Sequence, residues 1–315
     1  MKYLKLIRFQ NLLLLAFMQV LFRYTYLKAA TYNSYTDTHD YLALTHIQFA
    51  LLVLSTLCIA AAGYIINNIL DQDNDEITKP NNRIVGKTIS ENIAYNLYVI
   101  LNLLGVGIGF YLSNAVGKKG LFTIFIFIAA LLYVYSTFLK KIVGISNIIV
   151  ALIVSFSILI IGVFDLYPAT YEGNFVQMKK AFSILFDYAV FAFIINWIRE
   201  IVKDIEDMDG DYASGVQTLP ILLGKKTTAK LVSIITVIPI TILLYYITKN
   251  LLEYNLVLIY ALLLIIGPLI YIMIKLWGAK TKQEFKHISQ VLKLVLFFGI
   301  LSIAIITYVV KNAQG

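Results

Sequence analysis

The chain has 315 residues, 60% of them hydrophobic and only 14% charged, with a mean hydropathy of +0.80. That excludes an ordinary soluble domain, where charged residues approach a quarter of the chain, and it excludes disorder, because so apolar a chain has ample surface to bury. The net charge of +8 would suggest nucleic acid on a soluble protein. On a polytopic membrane protein it reflects topology and anionic headgroups, and no nucleic-acid partner is expected.

A helix needs about 20 mostly apolar residues to cross the hydrocarbon core. Nine such runs occur, near residues 7–26, 44–70, 92–112, 121–139, 142–167, 182–203, 231–247, 256–276 and 288–310. The fold class expected is therefore all-α, a nine-helix membrane bundle forming a single domain over residues 1–315. Cytoplasmic cap loops are expected at about 71–91 and 204–229. The first run follows Lys2, Lys5 and Arg8 but precedes no convincing small-residue cleavage site, so it reads as a retained helix and not as a signal peptide. Cys58 is the single cysteine and lies inside the second run, which rules out a disulfide or a Cys-based metal site. Gly105, Gly107 and Gly109 form a GxGxG in the third run; no strand precedes it, so close helix packing explains it better than a dinucleotide site.

Seventeen basic residues fall at the N-terminus or after even-numbered runs and eight on the opposite side, with Lys293 inside the last run. This places the N-terminus in the cytoplasm and, with nine crossings, the C-terminus outside.

The acidic residues are gathered differently. Ten of the eighteen lie in two windows: Asp71, Asp73, Asp75 and Glu76 after the second run, and Glu200, Asp204, Glu206, Asp207, Asp209 and Asp211 after the sixth. Both windows open on the expected cytoplasmic side. Asp71 and Asp75 are spaced i, i+4; Asp204, Asp207 and Asp211 are spaced i, i+3, i+7. If each window continues its helix, these spacings align the carboxylates on one face. Such a ridge repels itself unless a cation sits on it. Oxygen ligands without nearby His or Cys suit Mg²⁺, which takes one or two carboxylates and completes its shell with water and substrate phosphate. Lys79, Arg83, Arg199 and Lys203 can neutralise the remaining charge of a diphosphate. One such motif alone is more often a solvated loop; two after even-numbered runs favour a site. Asp71 to Asp207 and Asp75 to Asp211 are both 136 positions, so runs one to four and five to eight read as two pseudo-repeated four-helix halves, with the ninth appended.

With these residues in view, the chain resembles the UbiA superfamily of intramembrane prenyltransferases along nearly its whole length. That family's first motif, NDxxDxxxD with a basic-Pro segment after it, is matched by Asn67, Asn68, Asp71 and Asp75, then Lys79-Pro80 and Arg83. Its second, DxxDxxxD, is matched by Asp204, Asp207 and Asp211. Asn68 replaces the usual first aspartate; its amide oxygen can ligate Mg²⁺ but brings no charge. The stretch from Arg199 to Pro220 resembles most the branch that acts on geranylgeranylglycerol phosphate.

The resemblance implies Mg²⁺-dependent transfer of a prenyl chain, geranylgeranyl favoured, from a polyprenyl diphosphate to a hydrophobic acceptor in the membrane. Asn67, Asn68, Asp71, Asp75, Asp204, Asp207 and Asp211 would hold metal, with Asp71, Asp75, Asp207 and Asp211 as its catalytic core. Lys79, Arg83, Lys140, Arg199 and Lys203 would bind diphosphate. Tyr133 and Tyr135 can stabilise an allylic cation by about 0.5–2 kcal/mol each or simply pack, and Arg8, Asn11 and Asn147 can meet the acceptor or anchor the membrane surface. Two rival readings remain at this stage: an aromatic prenyltransferase of quinone or chlorophyll-type biosynthesis, and a cation transporter, against which the placement of the carboxylates at helix ends argues.

Overall fold

The computed structural model describes residues 1–32, 42–72, 76, 83–213 and 215–313. Among them are nine helices long and apolar enough to cross a membrane: α1 Phe9–Ala30, α2 His46–Leu70, α3 Glu91–Ala115, α4 Lys119–Thr137, α5 Ile145–Ala169, α6 Glu172–Ala213, α7 Lys225–Asn250, α8 Asn255–Gly278 and α9 Lys282–Asn312. No strand occurs among the described residues, only an isolated bridge between Val85 and Ile89.

The helix starts follow local chemistry. Thr45 caps α2 in a reciprocal box: its hydroxyl accepts from the Gln48 N–H at 3.2 Å and the Gln48 side chain accepts from the Thr45 N–H at 2.9 Å. Thr281 and Glu284 make the same arrangement ahead of α9, and Glu284 also accepts from the Lys280 N–H at 2.9 Å. Each box satisfies amides that the first helical turn leaves without partners. Pro220 lies in the first turn of the short helix Leu219–Leu223, and Pro268 lies two residues past a π-helical stretch, Leu262–Ile266, within α8. The missing N–H of proline is tolerated at the first position and breaks the ladder in the second.

The chain divides into two compact units, residues 1–23, 30–141 and 156–185 in one and 24–29, 142–155 and 186–315 in the other. The boundaries between them fall inside α1, between α4 and α5, and inside α5 and α6.

In the first unit α2 packs most extensively on α3. The glycines make this approach possible: a Cβ on Gly105 would lie 2.7 Å from Cδ1 of Ile59, one on Gly109 would run into the Phe125 ring, and Gly107 has open space around it. The Ser55 hydroxyl donates to the Gly105 carbonyl at 2.7 Å, a bond between helices that only close backbones permit. A short N-terminal helix, Lys2–Leu6, seats Leu6 against Ile65, Ile66, Ile69, Val85 and Ile89. At the other end of α1, Arg23 and Asp165 form an ion pair at 2.7 Å with exposures of 3% and 0%. Asp165 also accepts from the Leu44 N–H at 3.0 Å, while the Arg23 guanidinium donates to the Leu44 carbonyl and lies 4.4 Å from the Phe49 ring centre. α1, α5 and the chain entering α2 are thereby tied together.

In the second unit α6, α7, α8 and α9 share one apolar core that includes Ile195, Ile198, Val202, Val232, Leu269, Ile272, Phe285, Ile288 and Leu292. α6 is its longest element. The uninterrupted helix Phe175–Ala213 has 39 residues, about 58 Å at 1.5 Å per residue, twice the hydrocarbon thickness. The segment expected as a cap loop from residue 204 therefore begins as helix and stays helical to Ala213.

The Arg23–Asp165 pair makes a direct prediction. Arg23→Ala leaves a carboxylate buried without its cation, and a loss of about 3–5 kcal/mol is expected. A double replacement, Arg23→Met with Asp165→Leu, should recover most of it. Thermal unfolding in detergent measures both, and equal losses in the single and double variants would refute the stranded carboxylate as the cause of the loss.

Candidate functional site

The first acidic window lies where α2 ends. Leu70 is its last residue, and Asp71 is the C-cap, its N–H still donating to the Asn67 carbonyl at 3.0 Å. The Asp71 carboxylate accepts from the Asn67 side-chain amide at 2.9 Å and from the ammonium of Lys140, which lies on the 3₁₀ turn Leu139–Lys141 after α4. Lys140 also lies 3.4 Å from the Asn67 side-chain oxygen. The three residues thus form one partly exposed cluster, with exposures of 28% for Lys140 and 19% for Asp71. Of the other residues expected in this window, Asp75 and Lys79 lie outside the described residues, so the helical continuation expected past Asp71 is described only in part.

Asn68 turns its amide to its own helix, donating to the Tyr64 carbonyl one turn back at 2.7 Å. Arg83 gives one guanidinium nitrogen to Glu76 at 2.6 Å and its Nε to the Val85 carbonyl at 3.1 Å. A Cβ at Gly86 would lie 2.6 Å from Nη2 of Arg83, and the glycine backbone there has φ +79°. The positive φ favours glycine there, since side-chain-bearing residues rarely adopt it. Arg8 and Asn11 meet the same helix from the N-terminal side: the Arg8 guanidinium lies 5.0 Å from the Tyr64 ring centre, and the Asn11 amide donates to the Tyr64 hydroxyl at 3.3 Å. Arg8 adopts a left-handed conformation, φ 49° and ψ 54°, an uncommon state for a residue with a side chain. Tyr133 is exposed on α4, and Tyr135 is half-buried.

The second acidic window lies wholly on α6. Asp204, Asp207 and Asp211 share a helical face there, as their spacing requires. Asp204 accepts from the Asn147 side-chain amide at 2.8 Å, which links the window to the start of α5. Asp207 lies 3.8 Å from the Lys282 ammonium at the start of α9. Lys282 is a contact that spacing within one window cannot reveal, because it comes from a helix 75 positions further on. One turn below Asp204, Glu200 is shared by Arg199 at 3.0 Å and Lys203 at 3.5 Å. Nε of Arg199 is buried without a hydrogen-bond partner.

Each window therefore offers hard oxygen donors. Among the described residues no three His, Cys, Asp or Glu side chains gather as a closed metal cage. The donors suit an ion that takes one or two carboxylates and fills its shell from elsewhere, as Mg²⁺ does. A further observation fits a cation at Asp71: the carboxylate already draws in an ammonium group.

A divalent ion bound at Asp71 would compete with Lys140 for the same carboxylate oxygen. Lys140→Met is expected to tighten substrate-free Mn²⁺ binding at least about threefold, on the scale of a partly exposed charge pair, and Asp71→Asn in the same background should reverse the gain. Mn²⁺ paramagnetic resonance reads both, and unchanged Mn²⁺ affinity in Lys140→Met would refute the competition.

Comparison with known proteins places this arrangement. The family model described as the UbiA prenyltransferase family matches residues 37–301. A digeranylgeranylglyceryl phosphate synthase of Methanosphaera stadtmanae is 28% identical over 261 residues, 80% of this chain and 86% of that protein. A protein of the same name from Sulfolobus acidocaldarius is 34% identical over 180 residues, 57% of this chain and 59% of its own. The solved structure of a UbiA homologue from Archaeoglobus fulgidus bound to DMAPP and Mg²⁺ has a TM-score of 0.58 at 17% identity, covering 96% of this chain and 99% of that one, so the fold is shared. Nine membrane-length helices among the described residues and a family match over most of the sequence lead to one conclusion: the chain belongs to the UbiA prenyltransferase family and is an integral-membrane prenyltransferase.

Proposed function

We propose that the enzyme transfers a geranylgeranyl chain from geranylgeranyl diphosphate to the free hydroxyl of a glycerol-phosphate ether lipid, releasing diphosphate. The observation that carries this reading is the Asn67–Asp71–Lys140 cluster, in which anionic and neutral oxygens meet a fixed cation at a helix end. The acceptor follows from the relatives of Methanosphaera stadtmanae and Sulfolobus acidocaldarius, both named digeranylgeranylglyceryl phosphate synthases. Donor and metal are supported by the Archaeoglobus fulgidus homologue bound to DMAPP and Mg²⁺.

In the reaction the bond between the allylic carbon and the diphosphate oxygen breaks, and the leaving group takes the electron pair. The acceptor hydroxyl forms the new ether bond and gives up its proton. Asn67, Asp71 and Asp75 in one window, and Asp204, Asp207 and Asp211 in the other, would hold Mg²⁺, which when bound neutralises charge developing on the diphosphate. Lys140 holds the first window's carboxylate in place and offers an ammonium to phosphate oxygen. The amide of Asn147 orients the Asp204 carboxylate. Lys79 and Arg83, which follow the first window in sequence, and Arg199 and Lys203, which lie in the second, add positive charge for phosphate. Tyr133 and Tyr135 serve as the aromatic faces for the allylic cation, and Arg8 and Asn11 meet the acceptor. The N-terminus and both windows face the cytoplasm in this reading, which the excess of basic residues at the N-terminus and after even-numbered spans supports.

Asn68 has a particular consequence. Its amide donates to the Tyr64 carbonyl, which a carboxylate cannot do. Asn68→Asp is expected to lower the Mg²⁺ concentration for half-maximal activity several-fold, because added ligand charge raises affinity, while costing about 1 kcal/mol of stability for the lost hydrogen bond. A Mg²⁺ titration of turnover with a parallel thermal melt checks both.

The reading as a whole is tested by incubating purified enzyme with geranylgeranyl diphosphate and, separately, geranylgeranylglycerol phosphate or an aromatic acid. Prenylation of the ether lipid is expected, and prenylation of the aromatic acid alone would overturn the acceptor. Asp71→Ala and Asp207→Ala should each abolish Mg²⁺-dependent diphosphate release; release at the parental rate in both would overturn the site.

A further inference from the structure

Several helical hydroxyls of this chain spend their donor on a carbonyl. Ser113 donates to the Gly109 carbonyl one turn back at 2.8 Å, Thr137 to the Tyr133 carbonyl at 3.0 Å, and Ser55 across to the Gly105 carbonyl at 2.7 Å. Such bonds are the usual outlet for a hydroxyl on a helix. Ser136, the neighbour of Thr137 on α4, lacks one. It is 8% exposed, and its oxygen is buried with no hydrogen-bond partner among the described residues. A hydroxyl desolvated and left unpaired costs free energy, so its presence points to a partner that arrives from outside the chain.

The packing of α2 on α4 shows where Ser136 stands. A Cβ on Gly63 would lie 2.9 Å from Cδ1 of Leu132, and further along both segments Asp71 meets Lys140. Each of these contacts joins residues 69 positions apart, so the two segments run in the same direction and keep one register between the contacts. Asn67 and Ser136 are also 69 positions apart. Asn67 lies one turn past Gly63, and Ser136 one turn past Leu132, so both occupy the facing sides of their helices. Ser136 therefore stands at the level of Asn67, whose side-chain oxygen lies 3.4 Å from the Lys140 ammonium. Along α2 that level is about 6 Å back from Asp71, one turn at 1.5 Å per residue.

We propose that Ser136 is a substrate-binding residue of this enzyme, its hydroxyl donating to a phosphate oxygen of the prenyl diphosphate beside the Asn67–Asp71–Lys140 cluster. A diphosphate seated at the helix end feeds its prenyl chain into the apolar bundle, so the phosphate that carries the chain lies deeper than the terminal one. The level of Ser136, one turn inside Asp71 and Lys140, matches that inner phosphate. A hydrogen bond from a neutral hydroxyl to a charged phosphate oxygen is short and strong, and it satisfies the group that the chain itself leaves unpaired. The inference rests on the prenyl-transfer reading for the identity of the ligand and adds a residue that neither acidic window contains.

The test compares Ser136→Ala with Thr137→Val, whose parent hydroxyl is already spent on the Tyr133 carbonyl, in the full-length enzyme in detergent. Melting temperature, direct binding of inorganic pyrophosphate with Mg²⁺, and KM and kcat for geranylgeranyl diphosphate and geranylgeranylglycerol phosphate are measured for each. Ser136→Ala is expected to melt at or above the parent temperature, because it breaks no bond within the chain, and to bind pyrophosphate about tenfold or more weakly through loss of one hydrogen bond to a charged group. Thr137→Val should bind it within twofold of the parent. A raised KM or lowered kcat with respect to geranylgeranyl diphosphate, at unchanged KM for the phospholipid, places the hydroxyl on the donor; a raised KM for the phospholipid alone would overturn that assignment. Pyrophosphate binding within twofold of the parent in Ser136→Ala, or an equal loss in Thr137→Val, refutes the proposal. If the parent releases no diphosphate from geranylgeranyl diphosphate with any acceptor, prenyl transfer itself fails, while pyrophosphate binding still decides the role of Ser136.

Discussion

A charge on a membrane helix must find an opposite charge inside the protein or reach the aqueous edge, because the hydrocarbon offers it nothing. The constraint divides this chain's ionic groups into kinds. Arg23 and Asp165 are closed on each other: nearly inaccessible, with the Leu44 backbone and the Phe49 ring filling the remaining valences. Such a pair has no capacity left for a ligand, and its work is to hold α1, α5 and the start of α2 in one arrangement. Asp71 and Lys140 are different. They too are paired, but at a helix end, partly exposed, with oxygen lone pairs still available. A pair of this second kind can exchange its partner for a metal ion or a phosphate without leaving a charge stranded, and that is a property a binding site needs.

The second unit treats the same constraint through length. Had α6 stopped at the hydrocarbon boundary, Asp204, Asp207 and Asp211 would sit on a loop with no fixed spacing. Instead the helix runs on to Ala213, so the period of 3.6 residues converts a spacing in sequence into a ladder in space. Contacts from other elements brace the ladder at successive levels: Asn147 from α5 at Asp204, and Lys282 from α9 at Asp207. The apolar rungs beneath, Ile198, Val202 and Ile205, are buried in the core that α7, α8 and α9 complete. One face of a single helix therefore serves packing while another presents carboxylate.

Much of this was legible in the sequence, and the reason is the membrane. Backbone groups in hydrocarbon must be satisfied within a helix, so runs of apolar residues locate helices with little ambiguity: the run at 92–112 became Glu91–Ala115 and the run at 256–276 became Asn255–Gly278. Helix extensions beyond the hydrocarbon were less legible, because hydropathy falls silent once charge appears; α6 passes its expected end by ten residues for that reason. Within the site, groups on one helix were readable from spacing, as with Asp204, Asp207 and Asp211. Pairings across helices were not: nothing local to Asp71 announces Lys140, 69 positions away, and nothing local to Asp207 announces Lys282. GxGxG was read correctly as a packing element because the alternative needs a strand, and the structure adds that Gly105 and Gly109, spaced four apart, meet the neighbouring helices while Gly107 does not.

The substitution of Asn68 for an acidic residue gains meaning from these distinctions. At a helix end already crowded by Asp71, with Asp73 and Asp75 close in sequence, another carboxylate would add like-charge repulsion at i, i+3. Asparagine removes that repulsion and, by donating to the Tyr64 carbonyl, strengthens the last full turn of the helix that carries Asp71. Tyr64 itself is engaged by Arg8 and Asn11, so the same turn fastens the N-terminal segment to the site. A carboxylate at position 68 would gain a metal ligand and lose this fastening; the amide keeps the fastening and leaves metal affinity to Asp71 and its neighbours. The departure from the family pattern would leave a divalent ion bound at this helix end with fewer ligand charges, which Mg²⁺ tolerates because it needs only one or two carboxylates.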